Sequence, residues 1–276
     1  MSRVLITGAS RGIGRAAALR LAQSGWDVVA GVRSPADGEA LRGEDERIRP
    51  VVLDVASAEN IAELATLGEL DAVVNNAGYA LDGPVEGLDL DALRRQFEVN
   101  VFGQVAVTQQ VLPMLRRSRG RIVFTSSVSG RLSTPMTGAY NASKFALEAI
   151  ADALRVELRP WRVKVVLIEP GPVATDLWGK AAEQHATTLA GLAPEIRELY
   201  SGHLANVPKV IKTMQRIAVA PDKAVDKIER ALTARRPRAR YHVNPGTGVQ
   251  LATAAVTPAP VFDAVVARFT GVPRKA

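Results

Sequence analysis

The chain of 276 residues contains no cysteine. That excludes disulfides, thiolate metal sites and thiol nucleophiles. It has three histidines, His185, His203 and His242. None has the close spacing of a metal-binding helix such as HExxH, so no metal is expected. No apolar run approaches ~18 residues, so no membrane span is expected. The sequence runs from Met1 directly into the strand-like Arg3–Thr7 without a signal-peptide pattern, and a cytoplasmic location is the expectation. Internal repeats, low-complexity segments and domain-separating linkers are also missing, so one domain over 1–276 is expected. A chain of this length can bury a sizeable core without staples. Its 47% apolar and 23% charged residues are globular rather than disordered in composition. The unusual number is the charge: 35 Lys and Arg against 28 Asp and Glu, a net +7. Such a surplus suits nucleic acid, an anionic membrane surface or a phosphorylated small molecule.

Short β-branched runs alternate with Ala/Leu-rich helical stretches. Strands are expected at Arg3–Thr7, Asp27–Val32, Ile48–Asp54, Ala72–Asn76, Arg121–Thr125 and Lys164–Glu169, with a last one at Arg240–Val243. They are apolar almost throughout, the mark of strands covered on both faces. Helices are expected at Gly12–Ser24, Ala58–Leu67, Leu90–Arg116 (broken near Asn100), Ala139–Leu158 and Asp222–Arg235. Gly25 stands at a helix C′ position and Ser57 at an N-cap. This alternation predicts an α/β fold, a doubly wound sheet of parallel strands with helices on both faces. Pro170–Met214 breaks the pattern with repeated glycines and prolines, and irregular helices over the sheet's carboxyl edge are expected there. The segment 176–214 reads as a substrate-binding lobe and 246–276 as a C-terminal extension interrupted by Pro258 and Pro260.

The first strand and first helix are joined by Thr7-Gly8-Ala9-Ser10-Arg11-Gly12-Ile13-Gly14. Glycines let the backbone turn sharply and let a pyrophosphate approach the amides of a helix start. The spacing is GxxxGxG. About 20 residues further on, a residue closing the second strand should read the adenosine ribose, and an acid there would select NAD. Here Arg33 stands 19 residues past Gly14, followed by Ser34. A guanidinium fork suits a 2′-phosphate, and Arg11 adds a second cation, so NADP(H) is expected over NAD(H).

Ser127 follows the fifth strand, and Tyr140 and Lys144 come thirteen and seventeen residues later. On a helix, positions i and i+4 share a face. A phenol titrates near 10 and is a poor acid–base group at neutral pH. A neighbouring ammonium, with an oxidised nicotinamide ring, favours the phenolate. Ser127 can then hold a substrate oxygen while Tyr140 gives or takes its proton.

These motifs resemble the short-chain dehydrogenase/reductase family in its compact single-domain branch. TGASRGIG (Thr7–Gly14), NNAG (Asn75–Gly78), Asn100 in VNVFG, Ser127, YNASK (Tyr140–Lys144) and PGPVAT (Pro170–Thr175) fall in family order. The resemblance implies a Rossmann-type sheet of about seven strands and hydride transfer at nicotinamide C4. It implies that Tyr140 is the general acid/base, that Lys144 lowers its pKa and bonds the nicotinamide ribose, and that Ser127 polarises the carbonyl. Asn100 would hold a water in a proton relay. Gly8, Ser10, Arg11, Gly12, Ile13, Gly14 and Arg33 would bind the cofactor, with Asn76, Ala77 and Gly78 lining its cleft. Asp54 and Val55 match positions beside the adenine. Pro170, Gly171, Val173 and Thr175 match those around the carboxamide. Homodimers or homotetramers, packed through the helices around Val101–Arg116 and Ala139–Leu158, are also implied.

The lobe carries Leu177, Trp178, Leu189, Leu192, Ile196, Leu199 and Tyr200. Lying beyond the sheet's carboxyl edge, it should face the ligand crevice, with Ser133–Thr137 and Leu81–Val85 flanking the mouth. An apolar alcohol/carbonyl pair is the expected substrate, in analogy with the 17β-hydroxysteroid/retinol-dehydrogenase-like group. The basic run Ala234–Arg240 has no interleaved aromatics and reads as a solvated helix end rather than a nucleic-acid site. Two other functions are weighed. A non-catalytic NADP(H)-binding regulator would be expected with Tyr140, Lys144 or Ser127 replaced. An extended-branch epimerase or dehydratase would carry a different glycine turn and a larger C-terminal domain.

Overall fold

The computed structural model describes residues 2–175, 187–188 and 190–273. The positions Leu177, Trp178, His185 and Leu189 lie outside the described residues. Seven parallel strands form one sheet: β1 (Arg3–Thr7), β2 (Asp27–Val32), β3 (Ile48–Val52), β4 (Ala72–Asn75), β5 (Arg121–Thr125), β6 (Lys164–Glu169) and β7 (Arg240–His242), in the order β3-β2-β1-β4-β5-β6-β7. The fold is Rossmann-type, as the alternation predicts. Strands β3 and β4 end a little earlier than the apolar runs suggested, because pairing stops where each chain leaves for its loop.

The first half of the helical layer is α1 (Gly12–Gln23), α2 (Pro35–Arg42), α3 (Ala58–Glu63), α4 (Leu90–Phe97), α5 (Gly103–Ser118) and α6 (Gly138–Glu157). The second half is α7 (Pro194–Leu199), α8 (Ser201–Leu204), α9 (Val207–Ile217), α10 (Pro221–Thr233), α11 (Thr247–Val256) and α12 (Ala259–Thr270). Residues on β1 alternate between the two faces, and both faces are covered. Val4 and Ile6 pack with Ala17, Ala18 and Leu21 of α1 and with Ile228 of α10. Leu5 packs on the other side, in the cluster holding Val107 and Leu115 of α5 and Leu147 of α6. A strand buried twice needs apolar residues at every position, which is why RVLIT does not alternate.

The break expected near Asn100 is a π-turn over Glu98–Phe102, where the Gly103 N–H bonds to the Glu98 carbonyl. Ser57 caps α3 by accepting from the Asn60 amide, and Gly25 closes α1 at φ +86°. Two readings need correction. Helix α2 went unnoticed, since its eight residues with a central Gly38 carry too short a period to detect. The run Ala234–Arg240 is not simply a solvated helix end. Helix α10 stops at Thr233, and Arg240 enters β7 at the sheet edge, where buried carboxylates hold it.

Candidate active site

The strand order reverses between β1 and β4, so their loops diverge and open a crevice at the carboxyl edge. The two loops are laced together. The Thr7 hydroxyl accepts from the amides of Asn76 and Ala77, each at 3.0 Å. Asn76 Nδ2 donates to the carbonyls of Thr7 (3.1 Å) and Gly8 (3.2 Å). Gly14 cannot be replaced without movement: a Cβ there would lie 2.3 Å from the Gly8 oxygen and 2.5 Å from Asn76 Nδ2. Gly8 (φ +66°) and Gly12 (φ +57°) take the left-handed backbone that other residues resist. Arg11, at the N-cap, offers no side-chain cap, and the first turn of α1 carries no acid. The helix-start amides are thus left to an anion, and the cradle fits a pyrophosphate.

Arg11 and Arg33 both line this end of the cleft and both are exposed. Among the described residues, neither is held by a carboxylate. Asp54 lines the same end, and its Oδ1 accepts from the Ala56 amide at 3.0 Å, so it braces its own turn as well. Val55 lies beside it, its carbonyl packed against Gly103 so closely that a Cβ at Gly103 would stand 2.3 Å from the oxygen.

Ser127, Tyr140 and Lys144 converge at the other end of the crevice. Ser127 follows β5, its Oγ accepting from the Ser129 amide at 3.1 Å. Tyr140 and Lys144 sit one turn apart on α6, and the Lys144 Nζ lies 5.8 Å from the phenol ring centre. Nζ donates to the Thr125 carbonyl at 2.8 Å, in a position only 4% exposed. Burial pulls this ammonium down to about 8, against the opposing charge of Glu148. Burial pushes Tyr140 up from its ordinary value; a hydrogen bond with Ser127 acts downward and the Asp82 charge upward.

Asn100 is fully buried in the π-turn. Its Oδ1 accepts from the Tyr79 amide (3.0 Å), while Nδ2 donates to the Tyr79 carbonyl (2.8 Å) and Ser143 Oγ (3.1 Å). Both side-chain donors are spent on positioning, which leaves a lone pair or the backbone carbonyl for any water. A Cβ at Gly78 would stand 3.1 Å from Asn100 Oδ1. Pro170, Gly171, Val173 and Thr175 line the cleft.

Sequence reading missed the residues that hold these loops. Asn244 Oδ1 accepts from the Gly171 amide (2.8 Å), and its Nδ2 donates to the Pro172 carbonyl (2.9 Å). Gln96 Oε1 accepts from the Leu81 amide and its Nε2 donates to the Tyr79 carbonyl, both at 2.6 Å. The available signals were an Asn-Pro-Gly turn for Asn244 and the one-turn spacing of Gln96 and Asn100. From Tyr140 the cleft, about 1670 Å³ in all, continues between the C-terminal helices. That arm is lined by Val210, Met214, Phe262, Val266 and Phe269. Of the segments expected at the mouth, Ser133–Thr137 and Leu81–Val85, the stretches Thr134–Thr137 and Asp82–Gly83 line the cleft.

The short chain dehydrogenase family matches residues 2–186. The chain belongs to this family. The short chain dehydrogenase is 34% identical over 258 residues to an NADPH-dependent 3-dehydrocapnine reductase of Ornithobacterium rhinotracheale, covering 89% of each chain. It is 36% identical over 281 residues to retinol dehydrogenase 5 of Mus musculus, covering 95% of this chain and 87% of that one. Among solved structures, a short chain dehydrogenase from Burkholderia cenocepacia J2315 in complex with NADP superposes with a TM-score of 0.74 at 25% identity, covering 97% of both chains. The protein is therefore an oxidoreductase of this family. Among the described residues, no helix is long and apolar enough to cross a membrane, and no cluster of His, Asp and Glu could hold a metal.

Proposed function

We propose that this dehydrogenase prefers NADP(H) and interconverts an apolar alcohol and its carbonyl. The carrying observation is the meeting of Ser127, Tyr140 and Lys144 at one end of a cleft whose other end presents Arg11 and Arg33, which have no acidic partner among the described residues. When bound, NADP(H) supplies or accepts a hydride at nicotinamide C4. Gly8, Ser10, Gly12, Ile13 and Gly14 cradle its pyrophosphate, and Arg11 and Arg33 hold its 2′-phosphate. Asp54 and Val55 flank the adenine. Asn76, Ala77, Gly78, Pro170, Gly171, Val173 and Thr175 line the remainder of the cofactor's path.

Ser127 holds the substrate oxygen by a hydrogen bond. In reduction Tyr140 donates its phenolic proton to that oxygen as the carbon gains the hydride, and in oxidation the phenolate takes the proton back. Lys144 steadies the phenolate and bonds the nicotinamide ribose, and Asn100 holds the loop around Tyr79 and a relay water. The apolar arm toward Phe262 and Phe269 supports a lipophilic substrate, as do the relatives named above. The assembly is a homodimer or homotetramer through α5 and α6, a reading supported by exposed Phe102 and Phe145.

The test is oxidation of NADPH and of NADH with a panel of lipophilic and hydrophilic carbonyls, in wild type and Tyr140→Phe. Lipophilic carbonyls should be reduced with a higher kcat/KM for NADPH. Tyr140→Phe should lose roughly 100-fold or more in kcat while still binding NADPH. Better use of NADH, or turnover confined to sugars, overturns the reading. NADPH binding without turnover in both proteins would favour a regulator.

A further inference from the structure

The edge of the sheet opposite the catalytic crevice carries charge that the cofactor does not use. All seven strands are parallel, so the turns that lead into β5, β6 and β7 lie side by side at the amino edge. The Lys164 amide donates to the Gly120 carbonyl at 3.1 Å, which ties the first two turns together. Arg121 Nη1 donates to the Ala231 carbonyl at 2.6 Å, which brings the end of α10 to the same edge. The first turn exposes Arg117 and Arg119, the second Arg159 and Arg162, and the third Arg236 and Arg238. Helices α5 and α6 cover one face of the sheet and α10 the other, so the cations cross the edge from one helical layer to the opposite one.

Among the described residues, none of these side chains pairs with an acid. The other half of the same edge is different: Arg3 and Arg49 pair with Asp27, and Arg47 pairs with Asp45. Unpaired guanidinium groups held close together repel one another, and a polyanion relieves that repulsion while releasing its own counterions. Their planar forks suit phosphate oxygens. The run Ala234–Arg240 has no aromatic of its own, but the fold brings one to the edge. Trp161, in the second turn, is 45% exposed, and the Arg116 guanidinium lies 4.5 Å from its ring centre. Among the described residues of the three turns, Trp161 alone is a large apolar side chain left exposed. A single indole is too little to anchor the edge in a bilayer, but it is a stacking platform for an unpaired base set among phosphate-binding cations.

We propose that the amino edge of β5, β6 and β7 docks single-stranded RNA, with the arginines of the three turns on its phosphates and Trp161 against a base. Lasting single strands with unstacked bases are the usual protein-binding form of RNA, which favours it over duplex nucleic acid. The crevice opens at the carboxyl edge, so docking leaves it free.

Fluorescence anisotropy with a labelled 12-nucleotide oligouridylate tests this on the full chain. Wild type should bind with a Kd of about 1 µM at ~50 mM salt and lose roughly a hundredfold by ~200 mM, as expected for four or five phosphate contacts. The triple variant Arg117→Glu/Arg162→Glu/Arg236→Glu should lose tenfold or more, with NADPH binding unchanged. A control with equal charge change, Arg42→Glu/Arg49→Glu/Arg94→Glu, should keep most of the affinity. Trp161→Ala should weaken the oligouridylate several-fold and a 12-base-pair RNA duplex hardly at all. Absence of binding at low salt overturns the proposal, as does equal loss in the two triple variants. Displacement of the RNA by saturating NADPH places it in the cofactor cleft and also overturns it. Phosphatidylglycerol vesicles bound in preference to the oligouridylate would make the edge a membrane surface, and tighter binding of oligodeoxythymidylate or of the duplex would rule out single-stranded RNA.

Discussion

Lys144 shows what burying one charge costs a fold. Its ammonium is buried and titrates at about 8, against an ordinary 10.5. Between those pH values the unfolded chain binds the proton and the folded chain does not. Stability therefore rises with pH through that window, and below it the full cost of burying the charge is present. That cost is on the order of 3 kcal/mol at neutral pH, and the bond to the Thr125 carbonyl offsets about 1 kcal/mol. Lys144→Met should abolish turnover yet raise the unfolding free energy at pH 7 by about 2 kcal/mol. Thermal melts across pH should show the gain shrinking toward pH 10. The i, i+4 spacing made the pair with Tyr140 readable from the sequence. The upward push on the phenol was not readable, because it comes from burial and from Asp82, both set by distant segments.

At the scale of elements, the glycine turn and the YNASK helix are local devices, and local devices can be read. Their backbone demands and helical spacing depend on residues a few positions apart. The turn after β6 is different. Its Gly171 and Pro172 are held by Asn244, more than seventy residues away, across the gap between β6 and the start of α11. Asn244→Ala removes two hydrogen bonds of about 1 kcal/mol each. It should lower stability by about 1–2 kcal/mol and raise the KM for NADPH several-fold, with a smaller change in kcat. Steady-state kinetics beside a chemical-denaturation curve would check both. A KM unchanged despite lost stability would place Asn244 outside the cofactor's environment. The π-turn is an intermediate case: a break near Asn100 could be anticipated, but its form depends on Asn100 clamping the Tyr79 backbone.

Across the whole molecule, the last strand is fastened by charge. Arg240 of β7 reaches Glu148 on α6 (3.0 Å), Asp152 on α6 (2.7 Å) and Glu169 on β6 (3.1 Å). His242 Nδ1 approaches Glu169 at 2.6 Å. Glu169 is wholly buried and Glu148 nearly so. Removing the guanidinium takes the arginine from buried Glu148 and leaves Glu169 with Arg131 (3.7 Å) and His242 alone, and breaking a buried pair costs about 3 kcal/mol or more. Arg240→Met should therefore destabilise the protein by about that much at pH 7. Burial already pushes the Glu148 carboxyl above its ordinary value and Arg240 opposes that, so without the guanidinium the folded state binds an extra proton and the loss should shrink as pH falls toward 5. Denaturation curves at both pH values would show it, and an equal loss at both would contradict the account. The +7 surplus also becomes intelligible at this scale. Arg11 and Arg33 face the cleft, while others such as Arg3 and Arg20 are tied to Asp27 and Asp222. The sequence alone determined the strand–helix alternation, the doubly wound sheet and the family's motifs, since each depends on periodicity or on short-range backbone geometry. Tertiary structure decided which charges are buried and which loops are braced by Asn244 and Gln96. Burial and long-range pairing arise only when segments far apart in the chain are packed together.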